Sequence, residues 1–190
     1  MRSEILVATT NAHKLREIAQ VLGGRVQGVG VRVNENGKTF EANAIKKVKA
    51  IKLKPNQIAI ADDSGLCVDC LGGKPGVKSA RYANPPTPQN LCWKLLRQVR
   101  SSELGDRRAH FVCVIAIKYP SGKIETVRGV CRGKIIHEMR GEHGFGYDPI
   151  FVPAGYKKTF AEVKPAMKNR LSHRGRALRQ LKAVLAKVIE

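Results

Sequence analysis

Asp62, Asp63 and Ser64 follow directly on the apolar run Ile58-Ala59-Ile60-Ala61 and lead into Gly65 and Leu66. Two carboxylates and a hydroxyl delivered by a buried-type strand to a glycine are the groups needed to hold a metal ion, orient a water or contact a ligand at the mouth of a site. A strand over residues 58–61 alternates its side chains, so Asp62 and Asp63 point to opposite faces and cannot act as one side-by-side acid/base pair. One can face a ligand while the other anchors the chain. The same residues also fit an Asx-turn after a strand, with both carboxylates bonded to nearby backbone amides.

Three further clusters have chemical potential. Thr9-Thr10-Asn11 with Lys14 lies between the strand-type run Ile5-Leu6-Val7-Ala8 and a helical period on Leu15, Ile18, Ala19 and Leu22, stopped by Gly23-Gly24. Asn11 is a natural N-cap, and the free N–H groups of a helix start suit a phosphate, with Lys14 adding charge in the first turn. Ordinary capping with Lys14 in solvent uses the same residues. Gly144-Phe145-Gly146-Tyr147-Asp148 sets two aromatics and a carboxylate among glycines that let a flat ring approach the backbone, although a β-bulge around a core aromatic reads identically. Lys168 and the triplet Ser172-His173-Arg174 precede a closing helix on Ala177, Leu178, Leu181, Val184, Leu185 and Val188, with Ser172 as its N-cap. Basic residues at a helix N-terminus oppose its dipole, a local cost that a ligand would explain.

The elements that must position these clusters alternate early and pair late. Val29 to Val33 suggests a second strand, Asn34-Glu35-Asn36-Gly37 a turn, and Phe40, Ala44, Ile45, Val48 and Ile51 a helix that ends before Pro55 with its lysines outward. Thr87-Pro88 starts a helix on Leu91, Leu95, Leu96 and Val99 that also carries Trp93. His110 to Tyr119 and Ile124 to Ile136, joined by Pro120-Ser121-Gly122, make an antiparallel hairpin on which His110 is a sheet or surface residue. The expected fold is α/β: one domain over residues 1–190, with a mixed, strongly bent central sheet and flanking helices.

The 190 residues carry a formal charge of +20, which attracts nucleotides, nucleic acid or anionic lipid without selecting among them. Much of it falls on expected helix faces, at Lys46, Lys47, Lys49, Lys52 and Lys54 and at Arg170, Arg174, Arg176, Arg179, Lys182 and Lys187, and reads as a solvated surface. The five cysteines are odd in number and sit in apolar segments, as reduced core residues do. Cys67-Val68-Asp69-Cys70 has a metal or redox spelling, but a strand through Leu66, Val68 and Cys70 would turn the two sulfurs apart. The apolar runs are far shorter than the ~20 residues of a membrane span, and Met1-Arg2-Ser3-Glu4 leads into a short strand, unlike a signal peptide, so a soluble cytoplasmic protein with no membrane partner is expected.

Together these motifs closely resemble the inosine triphosphate pyrophosphatase, or Ham1, family over essentially the whole chain. The resemblance rests on Ala8-Thr9-Thr10-Asn11 with Lys14 and Glu17, on Ala61-Asp62-Asp63-Ser64-Gly65-Leu66, on Gly72-Gly73-Lys74-Pro75-Gly76 with Ser79-Ala80-Arg81-Tyr82, on residues 144–151, and on Lys168-Asn169 with Ser172-His173-Arg174. It implies an elongated fold of two lobes around a cleft, usually a homodimer, that hydrolyses ITP, dITP and XTP to monophosphate and pyrophosphate with Mg²⁺. Carried over by position, Asp63 is the proton acceptor and a metal ligand, and Ser64 contacts the nucleotide. Thr9, Thr10, Asn11, Ala12, His13 and Lys14 form the phosphate turn. Phe145, Gly146, Tyr147 and Asp148 form the base loop, and Lys168, His173 and Arg174 complete the substrate contacts. Where the family commonly reads Thr-Phe-x-Glu-Asn-Ala, this chain has Thr39-Phe40-Glu41-Ala42-Asn43-Ala44, so its glutamate is displaced by one position. The second metal ligand is then expected to be Glu35, with Glu41 as the alternative. The related Maf-type pyrophosphatases open on a Ser/Thr-x-Ser-Pro-Arg-Arg turn, unlike Thr9-Thr10-Asn11. A nucleic-acid binder on the same fold would use the basic surface non-specifically and leave Asp63 and Ser64 without a role.

Overall fold

The computed structural model describes residues 4–23, 26–102 and 105–189. The lead-in at residues 1–3, the second glycine of the expected helix stop, Gly24, and the side chain of Val188 lie outside what is described. The apolar run after Glu4 forms β1 (Glu4–Ala8) and passes through the Asn11 cap into α1 (Ala12–Leu22), which Gly23 closes at a positive φ of 62°. Strand β2 (Val26–Val29), helix α2 (Phe40–Lys49) and strand β3 (Gln57–Val68) follow. Beyond them come α3 (Pro88–Arg100), the strands β4 (Arg108–Lys118), β5 (Ile124–Ile135) and β6 (Phe151–Pro153), and the helices α4 (Pro165–Leu171) and α5 (His173–Ile189). The strands form one six-stranded sheet in the order β2-β1-β3-β4-β5-β6, parallel across β2, β1 and β3 and antiparallel between β5 and β6, so the sheet is mixed as expected.

Two compact units divide the chain. The first holds residues 1–63, 113–129 and 174–190, and the second residues 64–112 and 130–173. In the first unit Ile18 of α1 and Ala177, Leu178, Leu181 and Leu185 of α5 pack on Val7, Ile58, Ile60, Cys113, Ile115 and Ile117. The intervening Leu6, Ala8, Ala59 and Ala61 are buried too, as are Ala44 and Val48 of α2, so the parallel strands are covered on both faces and read as continuous apolar runs. From β1 the chain crosses by α1 to β2 on one side, then by α2 to β3 on the other. The carboxyl end of β1 is therefore a switch point, where connections leave in opposite directions and open α/β sheets bind ligands. The second unit has its own core, built from Leu91, Cys92, Leu95, Leu96 and Val99 of α3 with Leu66, Val68, Phe111, Cys131, Phe151 and Phe160.

Several expected boundaries move. The strand beside β1 is Val26–Val29 rather than residues 29–33, because α1 lies over it at Gly28, where a Cβ would come within 2.9 Å of the Leu15 side chain. Strand β3 does not end at Ala61 but runs through Asp62, Asp63 and Ser64 to Val68, since each carboxylate finds a cation beside the strand and Ser79 Oγ accepts the Leu66 N–H at 2.9 Å. Cys70 therefore lies in a 3₁₀ turn, Asp69–Leu71, rather than in a continuing strand. Helix α2 stops at Lys49, leaving Ile51, Lys52 and Lys54 beyond it. The α3 cap at Thr87, the hairpin turn at residues 120–122 and half-exposed His110 on β4 are as expected.

Gly133 of β5 pairs with Pro153 of β6, and a Cβ on it would lie 2.2 Å from the Val152 carbonyl oxygen and 2.6 Å from the Phe151 ring. Gly133→Ala is expected to cost about 1–3 kcal/mol through overpacking. Urea unfolding checks this, and an unchanged midpoint would show that β6 can move away without loss.

Candidate active site

The register of β1 on β3 sets Val7 opposite Ile60, so Asp62 and Asp63 come level with the residues that follow β1. Alternation along β3 then separates them. Asp62 shares the parity of Ile58 and Ile60 and meets the helices on that face: its Oδ2 lies 3.0 Å from Lys14 Nζ of α1 and 3.1 Å from Arg174 NH2 of α5. Glu17 of α1 pairs with NH1 of the same guanidinium. Asp62 and Arg174 are each only 2 % exposed. Burial opposes ionisation of Asp62, yet Lys14 and Arg174 outweigh it and hold the carboxyl well below the usual range. The same carboxylates raise Arg174 despite its burial, so the pairs are fully ionised.

Asp63 shares the parity of Ala59 and Ala61 and meets α2. Its Oδ2 accepts from Asn43 Nδ2 at 3.1 Å, and its Oδ1 lies 3.2 Å from Lys47 Nζ. Lys47 Nζ is also 3.1 Å from Glu35 Oε2. Burial pushes the Asp63 carboxyl above the ordinary range against the lowering effect of Lys47 and Asn43. Burial would lower Lys47, but Asp63, Asp62 and Glu35 together leave it raised. The two adjacent aspartates are thus shifted in opposite directions, which suits one to a permanent ion pair and the other to proton transfer.

At the end of β1, Asn11 Oδ1 accepts from the backbone N–H groups of His13 at 2.9 Å and Lys14 at 3.2 Å, while Thr9 Oγ1 accepts from Asn11 N at 3.1 Å. Thr10, Asn11 and Ala12 are exposed and His13 is exposed beside them, which leaves the turn open toward an anion.

The second unit assembles a separate group. Asp148 Oδ2 accepts from Phe145 N at 2.7 Å and pairs with Lys168 Nζ at 2.7 Å, and that ammonium lies 4.5 Å from the centre of the Phe145 ring. Gly144, at φ 79°, must be glycine, since a Cβ there would meet Asp148 Oδ2 at 2.1 Å. The loop is held from below. Tyr147 is buried with its hydroxyl donating to the Ser79 carbonyl at 2.9 Å, and the Cys92 thiol, kept protonated by burial at about 12, lies 3.4 Å from the Gly146 carbonyl. Tyr147 is therefore a core residue of the loop, and its backbone is what it can offer a ligand. His173 is buried and stacked on Phe111 at 4.6 Å, and Ser64 is half-buried on β3.

The structure brings Thr9, Thr10, Asn11, Ala12, His13, Lys14, Glu35, Asp63 and Arg174 into the first unit, and Ser64, Phe145, Gly146, Tyr147, Asp148, Lys168 and His173 into the second. Glu41 goes elsewhere: its Oε1 accepts from Thr126 Oγ1 at 3.0 Å on an exposed face. Ser172 closes α4, its N–H bonded to the Lys168 carbonyl at 2.8 Å. Two cations expected on the solvated surface are internal, Lys47 at 7 % exposure and Arg174 at 2 %. Asp62 and Glu17 compensate the charge that Arg174 brings to the start of α5. Sequence reasoning missed Asn43 and Lys47 as partners of Asp63. Their spacing of four, flanked by buried Ala44 and Val48, marked them as one inward stripe of α2.

Among the described residues no three His, Cys, Asp or Glu side chains converge as an all-protein metal cage would require. Magnesium needs fewer, since it is held by one or two carboxylates with substrate phosphates and water. Asp63 and Glu35, converging on one ammonium, fit that requirement.

Residues 5–184 match the Ham1 family model. The chain is 45 % identical to a dITP/XTP pyrophosphatase of Desulforamulus reducens, across 96 % of this chain and 95 % of the relative. It superposes on the Ham1 protein of Staphylococcus aureus with a TM-score of 0.85 and on a HAM1 protein from Coxiella burnetii with 0.87. Both are 37 % identical and covered over 97 % of this chain and 99 % of theirs.

The lowered pKa of Asp62 gives its ion pairs a defined pH window. Their contribution is complete above the unfolded value near 4 and is lost as pH falls toward the lower folded value, whereas raised Asp63 has the opposite sign and favours the fold as it protonates. Asp62→Asn is expected to cost about 3–5 kcal/mol at neutral pH. That deficit should shrink below pH ~4 in urea titrations. A deficit independent of pH would mean that Asp62 is not ionised in the fold.

Proposed function

Because the chain belongs to the Ham1 family, we propose that it hydrolyses ITP, dITP and XTP to the monophosphate and pyrophosphate, and so clears altered purine nucleotides from the nucleotide pool. The observation that carries this reading is the correspondence with a dITP/XTP pyrophosphatase over 96 % of this chain and 95 % of the relative. The site chemistry agrees with it. The exposed Asn11-capped turn and Lys14 offer N–H donors and a positive charge to phosphate oxygens. Asp63, buried and raised in pKa, is suited to orient a water and take its proton as the water oxygen bonds to the α-phosphorus and the bond to the bridging oxygen breaks. Asn43 and Lys47 fix the carboxylate for that role. In the second unit the Phe145 face and the ordered backbone of residues 145–148 suit a flat purine ring, and Ser64, Lys168 and His173 lie in the same unit as further contacts.

Magnesium would be held by Asp63 and Glu35 and would neutralise charge on the polyphosphate. Residues 35–38 carry Glu35 to Lys47, while Glu41 is occupied by Thr126, which favours Glu35 as the second ligand. The same reading takes the enzyme to be a homodimer of the cytoplasm. Among the described residues no helix is long and apolar enough to cross a membrane.

Asp63→Asn should retain the fold and nucleotide binding while lowering kcat by about 10²–10⁴-fold. Release of pyrophosphate, rather than phosphate, from ITP, dITP, XTP, GTP and ATP tests the assignment. Near-wild-type kcat in the variant would remove Asp63 as the base, and equal kcat/KM across the panel would remove the selectivity.

A further inference from the structure

Lys47 stands where two carboxylates meet, and the surrounding hydrogen bonds hold them around it. Its Nζ is 3.2 Å from Asp63 Oδ1 and 3.1 Å from Glu35 Oε2. Asn43, one turn earlier on α2, ties the same two partners together. Its Nδ2 donates to Asp63 Oδ2 at 3.1 Å, and its Oδ1 accepts from Gly37 N at 2.8 Å, two residues after Glu35. A Cβ on Gly37 would lie 2.5 Å from that Oδ1, so the segment approaches α2 more closely than any other residue would permit. Lys46 Nζ bonds Asn36 Oδ1 and pins the segment a second time. The carboxylates are therefore placed by Asn43 and the segment, and Lys47 is their shared counter-charge.

An ammonium is a compact charge on a flexible four-carbon stem, with no directional demand that two carboxylates must meet. One ammonium between two carboxylates leaves the group formally negative, which repels a polyphosphate. A divalent cation in its place, with the ammonium still beside it, makes the group formally positive. We propose that Lys47 is an exchangeable counter-ion: it bridges Glu35 and Asp63 until a divalent cation takes its place between them, and the released ammonium then serves the anionic nucleotide. This rests on the reading above that the chain acts with a divalent metal. It adds that metal and Lys47 compete for the same two carboxylates, so that the site becomes attractive to its substrate only once the metal has entered.

The competition is testable without nucleotide, using Mn²⁺ alone as the probe on the full chain. By electron paramagnetic resonance titration, Lys47→Met should bind Mn²⁺ about tenfold more tightly than wild type, while Glu35→Gln and Asp63→Asn should bind it about tenfold more weakly. In wild type, acylation of the Lys47 amine, followed by peptide mass spectrometry, should speed up severalfold when Mn²⁺ is added. That acceleration should vanish in Glu35→Gln. Should Lys47→Met fail to fold, the wild-type labelling decides. Unchanged or weaker Mn²⁺ binding by folded Lys47→Met, or labelling that Mn²⁺ leaves unchanged or slows, overturns the proposal. Pyrophosphate release from dITP and XTP by wild type separates the two readings: if it persists while the Mn²⁺ results fail, only the role of Lys47 falls.

Discussion

The pairing of buried Asp62 with Lys14 and Arg174 is the interaction on which the first unit depends. An isolated carboxylate at 2 % exposure would cost several kcal/mol and would protonate instead. Two cations, from α1 and from α5, allow it to stay charged inside the protein. The consequence is architectural. Arg174 is 112 residues from Asp62 in sequence, and its guanidinium also takes Glu17, so one charged knot joins β3, the first helix and the last. Lys14 is held by the same carboxylate at the start of α1, beside the Asn11 cap. A carboxylate from β3 thereby determines where the Lys14 charge stands beside the Asn11 turn.

The neighbouring carboxylate is free of that duty because a strand alternates. Asp62 is committed to α1 and α5, and Asp63, on the opposite face, bonds one ammonium and one amide from α2. Burial then acts on the two with different results: two cations overwhelm it at Asp62, while at Asp63 it prevails. Two identical side chains joined by one peptide bond are shifted in opposite directions through packing alone. The extension of β3 through this pair follows from the same fact, since polar residues persist in a buried strand only where each has a partner.

Legibility in the sequence followed the range of the interactions. Local ones were readable: Asn11 and Thr87 cap their helices, the 120–122 turn makes its hairpin, and period-two alternation separated Asp62 from Asp63 before any partner was known. The family pattern added the order of the clusters, but residue types could not show that Lys47 and Arg174 are internal. Both occur in basic, helical stretches, where a lysine or arginine is ordinarily solvated, and only the distant acids Glu35, Asp63, Glu17 and Asp62 draw them inward. For the same reason the local reading of Ser172-His173-Arg174 could not show that Arg174 pairs with Asp62 and that His173 stacks on Phe111. The position of β2 was misplaced because what selects it is the fit of Leu15 over Gly28, a contact between elements.

The charge of +20 takes on a different meaning once these pairs are placed. Lys14 and Arg174 are matched by Asp62 and Glu17, Lys47 by Asp63 and Glu35, and Lys168 by Asp148. Among the described residues the buried cations Lys47, Lys168 and Arg174 are each balanced by at least one carboxylate, so these cations add nothing to the excess. Exposed charge is screened within about 8–10 Å at physiological salt, and it draws polyanions of every kind toward the molecule without distinguishing them. Discrimination must then come from the balanced groups, where the cations are few, fixed in place and partly neutralised. There a small change in local charge would, on the proposal above, be enough to turn repulsion of a phosphate into attraction.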